Sequence, residues 1–455
     1  MLSEPAADDP QGTERAEVRS FGSAVALLTV VRIGSVVAGF LASVLAARLI
    51  GADGLGLAGS AFTIATAGAL LSSGGLNIAA IYFLGRRPDE QRQVVARTLT
   101  LGAGAAVVAV LVVLAAGLAL RTVVLGEADG SVLVAAGALA AAILTFELIG
   151  GLLLGLQRRT AYIVVQATEA IGSLALTALL LLVVDRSAAS YLAAAALGYA
   201  AGSVIAWIAI RRRVGPVRPD FATTFAREAL GMGLRGQVGN ILQYLSLRLD
   251  LVLVAALLDL RAAGIYFVAV RLSEVVTQVA TSASAFLFPQ VASQTERSST
   301  RVTEQVTRLT LVTVVVGGLV LAAVAEPLLR LAFGDVFATG ADAVRITLLA
   351  MLPLTLTRLI AGDLKGRGRP GLVSWAAFFG LVATVSLDLV LIPWLGIVGA
   401  ALASLLSYAV GAAFMLGAYR RLTGSGIGAL VPRVSDLRLL VELASTGGRR
   451  RVGPR

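Results

Sequence analysis

The chain has 455 residues, 57% hydrophobic and only 14% charged, where soluble domains carry roughly 45–50% and about 25%. That composition, with a mean hydropathy of +0.88, excludes a string of globular domains and describes a polytopic membrane protein. Histidine and cysteine are absent, which excludes a Ser-His-Asp triad, a histidine-based zinc site, thiolate chemistry and disulfides.

The first twenty residues are polar and acidic. They lack the basic start, short apolar run and small-residue cleavage site of a signal peptide, so 1–20 is expected to be a disordered tail. A bilayer-crossing helix needs about 20 apolar residues. Twelve such stretches follow, at 21–50, 55–84, 97–120, 131–156, 160–184, 188–210, 228–257, 262–293, 306–330, 340–363, 371–391 and 396–419. Beyond them, 421–455 is a basic tail in which Ile427–Leu443 has an imperfect apolar stripe that fits a short interfacial helix.

Cytoplasmic loops hold the excess of basic residues. With the N-terminus inside, the inner segments carry 27 Lys and Arg and the outer loops four: Arg121, Arg186, Arg261 and Arg330. Both termini are therefore expected in the cytoplasm. The net charge of +11 is then a consequence of topology. Anionic lipid of the inner leaflet suffices as its partner, and nucleic acid is not expected.

The chain also resembles itself at a shift of about 208. Ala47–Leu57 (ARLIGADGLGL) lies over Ala255–Ile265 (AALLDLRAAGI), with Gly56 on Gly264. Tyr199 followed by Arg211-Arg212 lies over Tyr408 followed by Arg420-Arg421. Two six-helix lobes, 21–210 and 228–420, follow, joined by the Pro- and Arg-containing linker 211–227. Six crossings per half leave both halves in the same orientation, so the repeat is parallel.

Four segments resemble bacterial polysaccharide-export flippases, in the family's order. They are Ala46–Arg87 with Leu49-Ile50-Gly51 and Gly75-Leu76, FLFPQVAS at Phe286–Ser293, LKGRGRPG at Leu364–Gly371, and LGIVGAALAS at Leu395–Ser404. The superfamily also contains multidrug and toxin extrusion antiporters and lipid II flippases. The resemblance implies an all-α fold of twelve transmembrane helices in two lobes, a V-shaped central cavity lined by spans 1, 2, 7 and 8, and alternating access. It implies transport without chemistry on the substrate, so no enzyme, cofactor or metal.

Ionisable groups inside a bilayer are costly and mark function. The ionisable groups within spans include arginines at 32, 48, 235, 248, 271, 345 and 358 and acids at 147, 169, 250, 274, 363 and 388. On the implied lining, the cavity holds Arg32, Arg48, Arg235, Arg248 and Arg271 against Asp250 and Glu274. Guanidinium forks bind phosphate oxygens in pairs, so an anionic substrate is expected. Arg271, Glu274 and Gln278 fall on one helical face, where Arg271 and Glu274 are able to pair. Gln237, Tyr244 and Arg248 make a similar stripe on span 7. Arg48 and Arg248 lie near outer ends, where headgroups compete for them. Asn77 is either a cavity group or an interhelical hydrogen bond. Glu147, Glu169 and Asp250 are candidates for ion coupling, set against plain hydrogen bonding for the first two.

These features point to a monomeric flippase in the bacterial plasma membrane. It would carry a polyprenyl-diphosphate-linked oligosaccharide outward for cell-surface polysaccharide assembly, alongside other assembly proteins. The alternative is a multidrug/cation antiporter of the same superfamily. A membrane-embedded glycosyltransferase would need a larger outer loop than this chain has, and a pure scaffold that recruits biosynthetic partners is a further alternative. The topology is directly testable in a cysteine-free chain. Single cysteines at Glu90 and Pro219 should resist an impermeant maleimide in intact cells while one at Arg186 reacts; ready labelling at the first two would reverse the orientation.

Overall fold

The computed structural model describes the backbone of residues 10–126, 128–293, 295–433 and 436, and side chains from residue 31 onward except at 32, 286, 288, 289, 292, 293 and 427. Every regular element among the described residues is helical. Hydrocarbon offers backbone groups no partner, so each crossing must close its own hydrogen bonds, which a helix does. In chain order the helices are α1 (Pro10–Ser73), α2 (Leu76–Arg86), α3 (Gln91–Ala119), α4 (Gly130–Gly155), α5 (Arg159–Leu179), α6 (Ala188–Val214), α7 (Thr223–Leu257), α8 (Leu260–Glu274), α9 (Gln278–Ser293), α10 (Glu296–Ala332), α11 (Asp335–Ala338), α12 (Ala341–Gly366) and α13 (Pro370–Thr423). Among the described residues, ten helical stretches are long and apolar enough to cross a bilayer.

Two of these stretches are too long to be one crossing. As straight rods, α1 with 64 residues and α13 with 54 would run about 96 and 81 Å against a hydrocarbon core of about 30 Å. Each contains one residue with non-helical angles, Gly51 (φ 71°, ψ −174°) in α1 and Gly396 (φ 61°, ψ −139°) in α13. A side chain would strain that left-handed φ, whereas glycine adopts it freely. The breaks fall between expected spans 1 and 2 and between spans 11 and 12.

Three elements differ from the sequence reading. The α1 backbone starts at Pro10, inside the stretch expected to be disordered; proline suits a first helical position, and the following Gln11–Glu17 contains several good helix formers. The expected span 262–293 is divided: α8 ends at Glu274, a 3-10 turn covers Val275–Thr277, and α9 follows. At the C-terminal end, the expected interfacial helix opens instead with a 3-10 turn at Ile427–Ala429, Pro432 follows closely, and Asp436 is helical. Residues 434, 435 and 437–443 of that expectation lie outside the described residues. The turn segment is strapped to the bundle instead. Arg308 donates to the Ala429 carbonyl (2.9 Å) and pairs with Asp436 (3.2 Å), while Leu430 is buried against a cluster that includes Ile360 and Tyr419.

One apolar cluster joins both halves, drawing on α1, α3, α4 and α6 from the first half and α7, α8, α10, α12 and α13 from the second, and it includes residues at the ends away from the basic loops, such as Leu125 and Phe333. Toward the basic helix ends it divides. One cluster, around Phe83, Phe146 and Ile210, belongs to the first half with the start of α7. The other, around Leu364 and Met415, belongs to the second half.

Two glycine pairs bring the halves into backbone contact. A β-carbon at Gly56 would collide with the Leu260 carbonyl oxygen, and one at Gly264 with the Ala52 carbonyl oxygen. The 208-residue shift carries Ala52 onto Leu260 and Gly56 onto Gly264, so the contact is reciprocal. Further along, Gly75 and Gly233 each exclude a β-carbon through the other's backbone. Small residues permit such approaches between membrane helices. Gly56→Ala and Gly264→Ala should each lower stability by about 1–3 kcal/mol through overpacking. The double variant should cost less than the two singles together, because one separation relieves both collisions. Thermal unfolding in detergent measures this; simple additivity would show that the two contacts are independent.

Candidate functional site

A cavity of about 760 Å³ lies among α7, α8, α9, α12 and the start of α13. Its charged lining is Arg248, Arg271, Arg358, Lys365 and Glu274, four cations against one carboxylate. Arg248 donates to Glu274 at 2.9 Å. Arg358 donates to the hydroxyls of Thr277 and Thr281, each at 3.0 Å, and Ser284 holds the Arg358 carbonyl at 2.7 Å. These bonds fix the head and the backbone of Arg358 at the divided α8–α9 segment.

Arg271 is held differently. Its guanidinium carbon sits 5.4 Å from the centre of the Phe267 ring, and its buried Nε has no hydrogen-bond partner. A guanidinium that lines a cavity with one donor still unmet favours an incoming anion, because the fold has already desolvated that donor. Arg271, Glu274 and Gln278 also border a smaller recess closed by Val36 and Phe40 of α1, which brings the first half to the edge of the site.

The candidate residues separate into groups. Arg248, Arg271, Glu274 and Gln278 line one cavity. The carboxylate of Glu274 pairs with Arg248, not with Arg271 three positions earlier in its own helix; the pairing runs between α7 and α8, so helical spacing does not reveal it. Nor does Arg248 reach for headgroups. Gln237 and Tyr244, on the same stripe, bridge to α1: Gln237 donates to the Leu70 carbonyl and the Ser73 hydroxyl (both 3.1 Å), and Tyr244 to the Thr63 carbonyl (3.2 Å).

Other candidates lie elsewhere. Arg235 is exposed and lines a separate cleft between α2 and α7. Asn77 accepts from the N–H of Ile78 (2.9 Å) and packs its backbone on Gly151 of α4, a helix-contact role. Arg48 is exposed and donates to the carbonyls of Leu331 and Ala332 at the end of α10, which removes it from the cavity. Arg32 lies within α1, but its side chain is outside the described residues. Glu169 accepts from Ser173 (3.2 Å) and lies within electrostatic reach of Glu147 and Arg271; Glu147 is exposed on α4.

Asp250 is not in the cavity wall. It is buried behind it, accepting from the Tyr266 hydroxyl (2.7 Å), the Ser404 hydroxyl (3.1 Å) and the Leu251 N–H (2.8 Å). Asp388 of α13 is fully buried, and both its carboxylate oxygens lack a hydrogen-bond partner. The two carboxylates are near enough for each charge to act on the other. Sequence reasoning noted Asp388, Arg358 and Lys365 only as members of spans and loops. The available signal was Thr384 and Asp388 four residues apart on one face, with Ser404 and Ser407 close by in the next crossing.

No curated protein matches the chain. Solved structures do. One is an inward-facing multidrug resistance transporter of the MATE family in the MOP superfamily, with TM-score 0.70, 13% identity, and coverage of 87% of this chain and 98% of the other. The lipid II flippase MurJ in an inward closed conformation gives TM-score 0.69 and 13% identity, covering 93% and 94%. A MOP superfamily transporter from Pyrococcus furiosus, described as having a binding pocket of reverse polarity, gives TM-score 0.59 and 16% identity, covering 88% and 96%. At those identities the likeness concerns the fold. The profile of the family described as "Polysaccharide biosynthesis protein" matches residues 21–296. With that match over more than half its length, and with its long apolar helices marking a multi-pass membrane protein, the chain belongs to the polysaccharide biosynthesis protein family.

Proposed function

We propose that this protein moves a polyprenyl-diphosphate-linked oligosaccharide from the cytoplasmic to the outer leaflet of a bacterial plasma membrane, for cell-surface polysaccharide assembly. The carrying observation is the excess of four cations over one carboxylate in the large cavity, with an unmet buried donor on Arg271. In a low-dielectric setting such a lining selects anions. Arg271 and Arg358 would hold the diphosphate, while Gln243, Thr281 and Ser284 on the same wall offer sugars small polar partners.

The proposal includes twelve crossings in two six-helix lobes, with α1 and α13 each contributing two. Both termini are cytoplasmic, and the lobes alternate about the Gly56–Gly264 contact. Its supports are the breaks at Gly51 and Gly396, the divided apolar core and the balance of loop charges. Asp250 and Asp388 would couple transport to a proton or a monovalent cation, since two buried carboxylates this close repel unless one is neutralised. That carboxylate pair is also what favours the second reading, a cation-coupled multidrug antiporter. The basic cavity weighs against it.

Export of surface glycan by a strain that depends on this chain is the test, with protein levels matched. Losing one guanidinium–phosphate contact costs about 1.5–3 kcal/mol, roughly ten- to a hundredfold in affinity. Arg271→Ala and Arg358→Ala should abolish most export, Arg271→Lys should be intermediate because it keeps charge without the fork, and Arg48→Ala should export normally. Asp388→Asn should block turnover while leaving substrate binding intact. Full export by both alanine variants, or clear tolerance to cationic dyes conferred by the wild type, would overturn the flippase reading.

A further inference from the structure

A second cavity, of about 850 Å³, opens between the end of α2 and the start of α7, away from the transport cavity. The charge count assigns that face to the cytoplasm. The cavity's lining includes Arg86 and Arg87 from the first half and Arg227 and Arg235 from the second, with Glu228 as its one carboxylate. Glu228 pairs with Arg87 across the two halves at 2.8 Å. That leaves three guanidinium groups without a carboxylate partner among the described residues. Arg227 and Arg235 are eight residues apart on α7, two turns along one face, with Gly231 between them and open space where its side chain would be.

The walls are fixed, so this is a shaped cleft and not a pair of loose loops. Arg86 lies over the Tyr82 ring at 5.2 Å and Arg87 over the Phe83 ring at 4.8 Å. Phe83 packs on Phe225 at 5.2 Å between ring centres, and Phe225 is buried. The linker before α7 is pinned as well: Arg97 bonds Asp220 at 2.9 Å, and the Asp220 N–H bonds Thr100 at 3.0 Å. Aromatic faces under the arginines hold the guanidinium planes in place while their outer edges stay free to donate.

The cleft lies just beyond the Gly75–Gly233 contact, where the halves meet backbone to backbone. We propose that it binds a phosphate-bearing lipid headgroup, whose oxygens bridge arginines of both halves and thereby hold this side of the molecule shut. Phosphate offers several acceptor oxygens, so one headgroup is able to bond guanidinium groups from α2 and α7 together. Such a ligand binds the closed arrangement better than one in which α2 and α7 have parted, and that difference shifts the population toward closure. The site is independent of the transport cavity and of what that cavity carries. The headgroup comes either from an anionic phospholipid of the leaflet or from a polyprenyl diphosphate.

The experiment reports closure directly. In this cysteine-free chain, Ile78→Cys with Gly236→Cys places two thiols where α2 and α7 pack, since a β-carbon at Gly236 lies 3.0 Å from the Ile78 side chain. The full chain is placed in nanodiscs of phosphatidylcholine alone, with added phosphatidylglycerol, or with added polyprenyl diphosphate. Disulfide formation under mild oxidant is then timed. One or both additions should speed it severalfold, and which of them does so identifies the source. Each basic residue near a headgroup layer is worth about 1 kcal/mol, roughly fivefold in lipid affinity. Adding Arg86→Gln, Arg227→Gln and Arg235→Gln should therefore abolish the response. Glu228→Gln removes the competing carboxylate and should give a larger response at lower lipid content, a gain that misfolding does not mimic. Equal rates in all three compositions, an undiminished response in the triple variant, or a weaker response in Glu228→Gln would each overturn the site.

Discussion

An ionised side chain in hydrocarbon must find a counter-charge, a hydrogen-bond donor or water, because leaving it bare costs several kcal/mol. The interior of this protein is arranged around that cost. Glu274 has Arg248. Asp363, fully buried near the C-terminal end of α12, has Arg367 at 2.7 Å and the Thr303 hydroxyl at 2.8 Å. Asp250 has two hydroxyls and an N–H. Against that background two ionisable groups with buried, unpartnered atoms among the described residues stand out: Arg271, whose side chain lines the cavity and whose Nε is unmet, and the carboxylate of Asp388, which feels the charge of Asp250. On the proposed reading, an anion completes the first and a proton or cation the second.

The same economy separates two kinds of charge. Arg358 is bound to two threonines, so on the proposed reading an anion reaching it meets a preorganised donor and not a mobile one. Arg48 bonds the free carbonyls at the end of α10, which a helix terminus leaves without internal partners. Two arginines of one chemistry thus do unrelated work, and the difference lies in whether the carbonyls or the cavity lie within reach.

Much of the fold was legible in the sequence because the membrane enforces it. Crossing lengths follow from bilayer thickness, and the divisions at Gly51 and Gly396 sit at an Ile-Gly and a Leu-Gly step visible in the chain. Arg271, Glu274 and Gln278 were legible as neighbours because helical periodicity is local; the 3-10 turn at Val275–Thr277 did not disperse them. What was not legible is nonlocal. The Arg248–Glu274 pair spans two helices, Asp250 and Asp388 come from opposite ends of the second half, and the placement of Arg235 outside the cavity depends on how α7 faces α2. No spacing rule carries that information, since it depends on how helices dock after each has formed.

The reciprocal glycine joint carries an implication about origin. Where residue i touches j and the equivalent of j touches the equivalent of i, the contact is isologous, the kind made by two identical subunits about a two-fold axis. Ala52, Gly56, Leu260 and Gly264 meet in that pattern within a single chain. On the proposed two-lobe reading, the joint is the seam of a former homodimer of six-helix proteins, each inserted with the same orientation. Fusion then freed the rest of the two halves to diverge, one acquiring the basic cavity and the buried acids, while the seam stayed bound to its own symmetry: a larger residue on either side of it displaces the other.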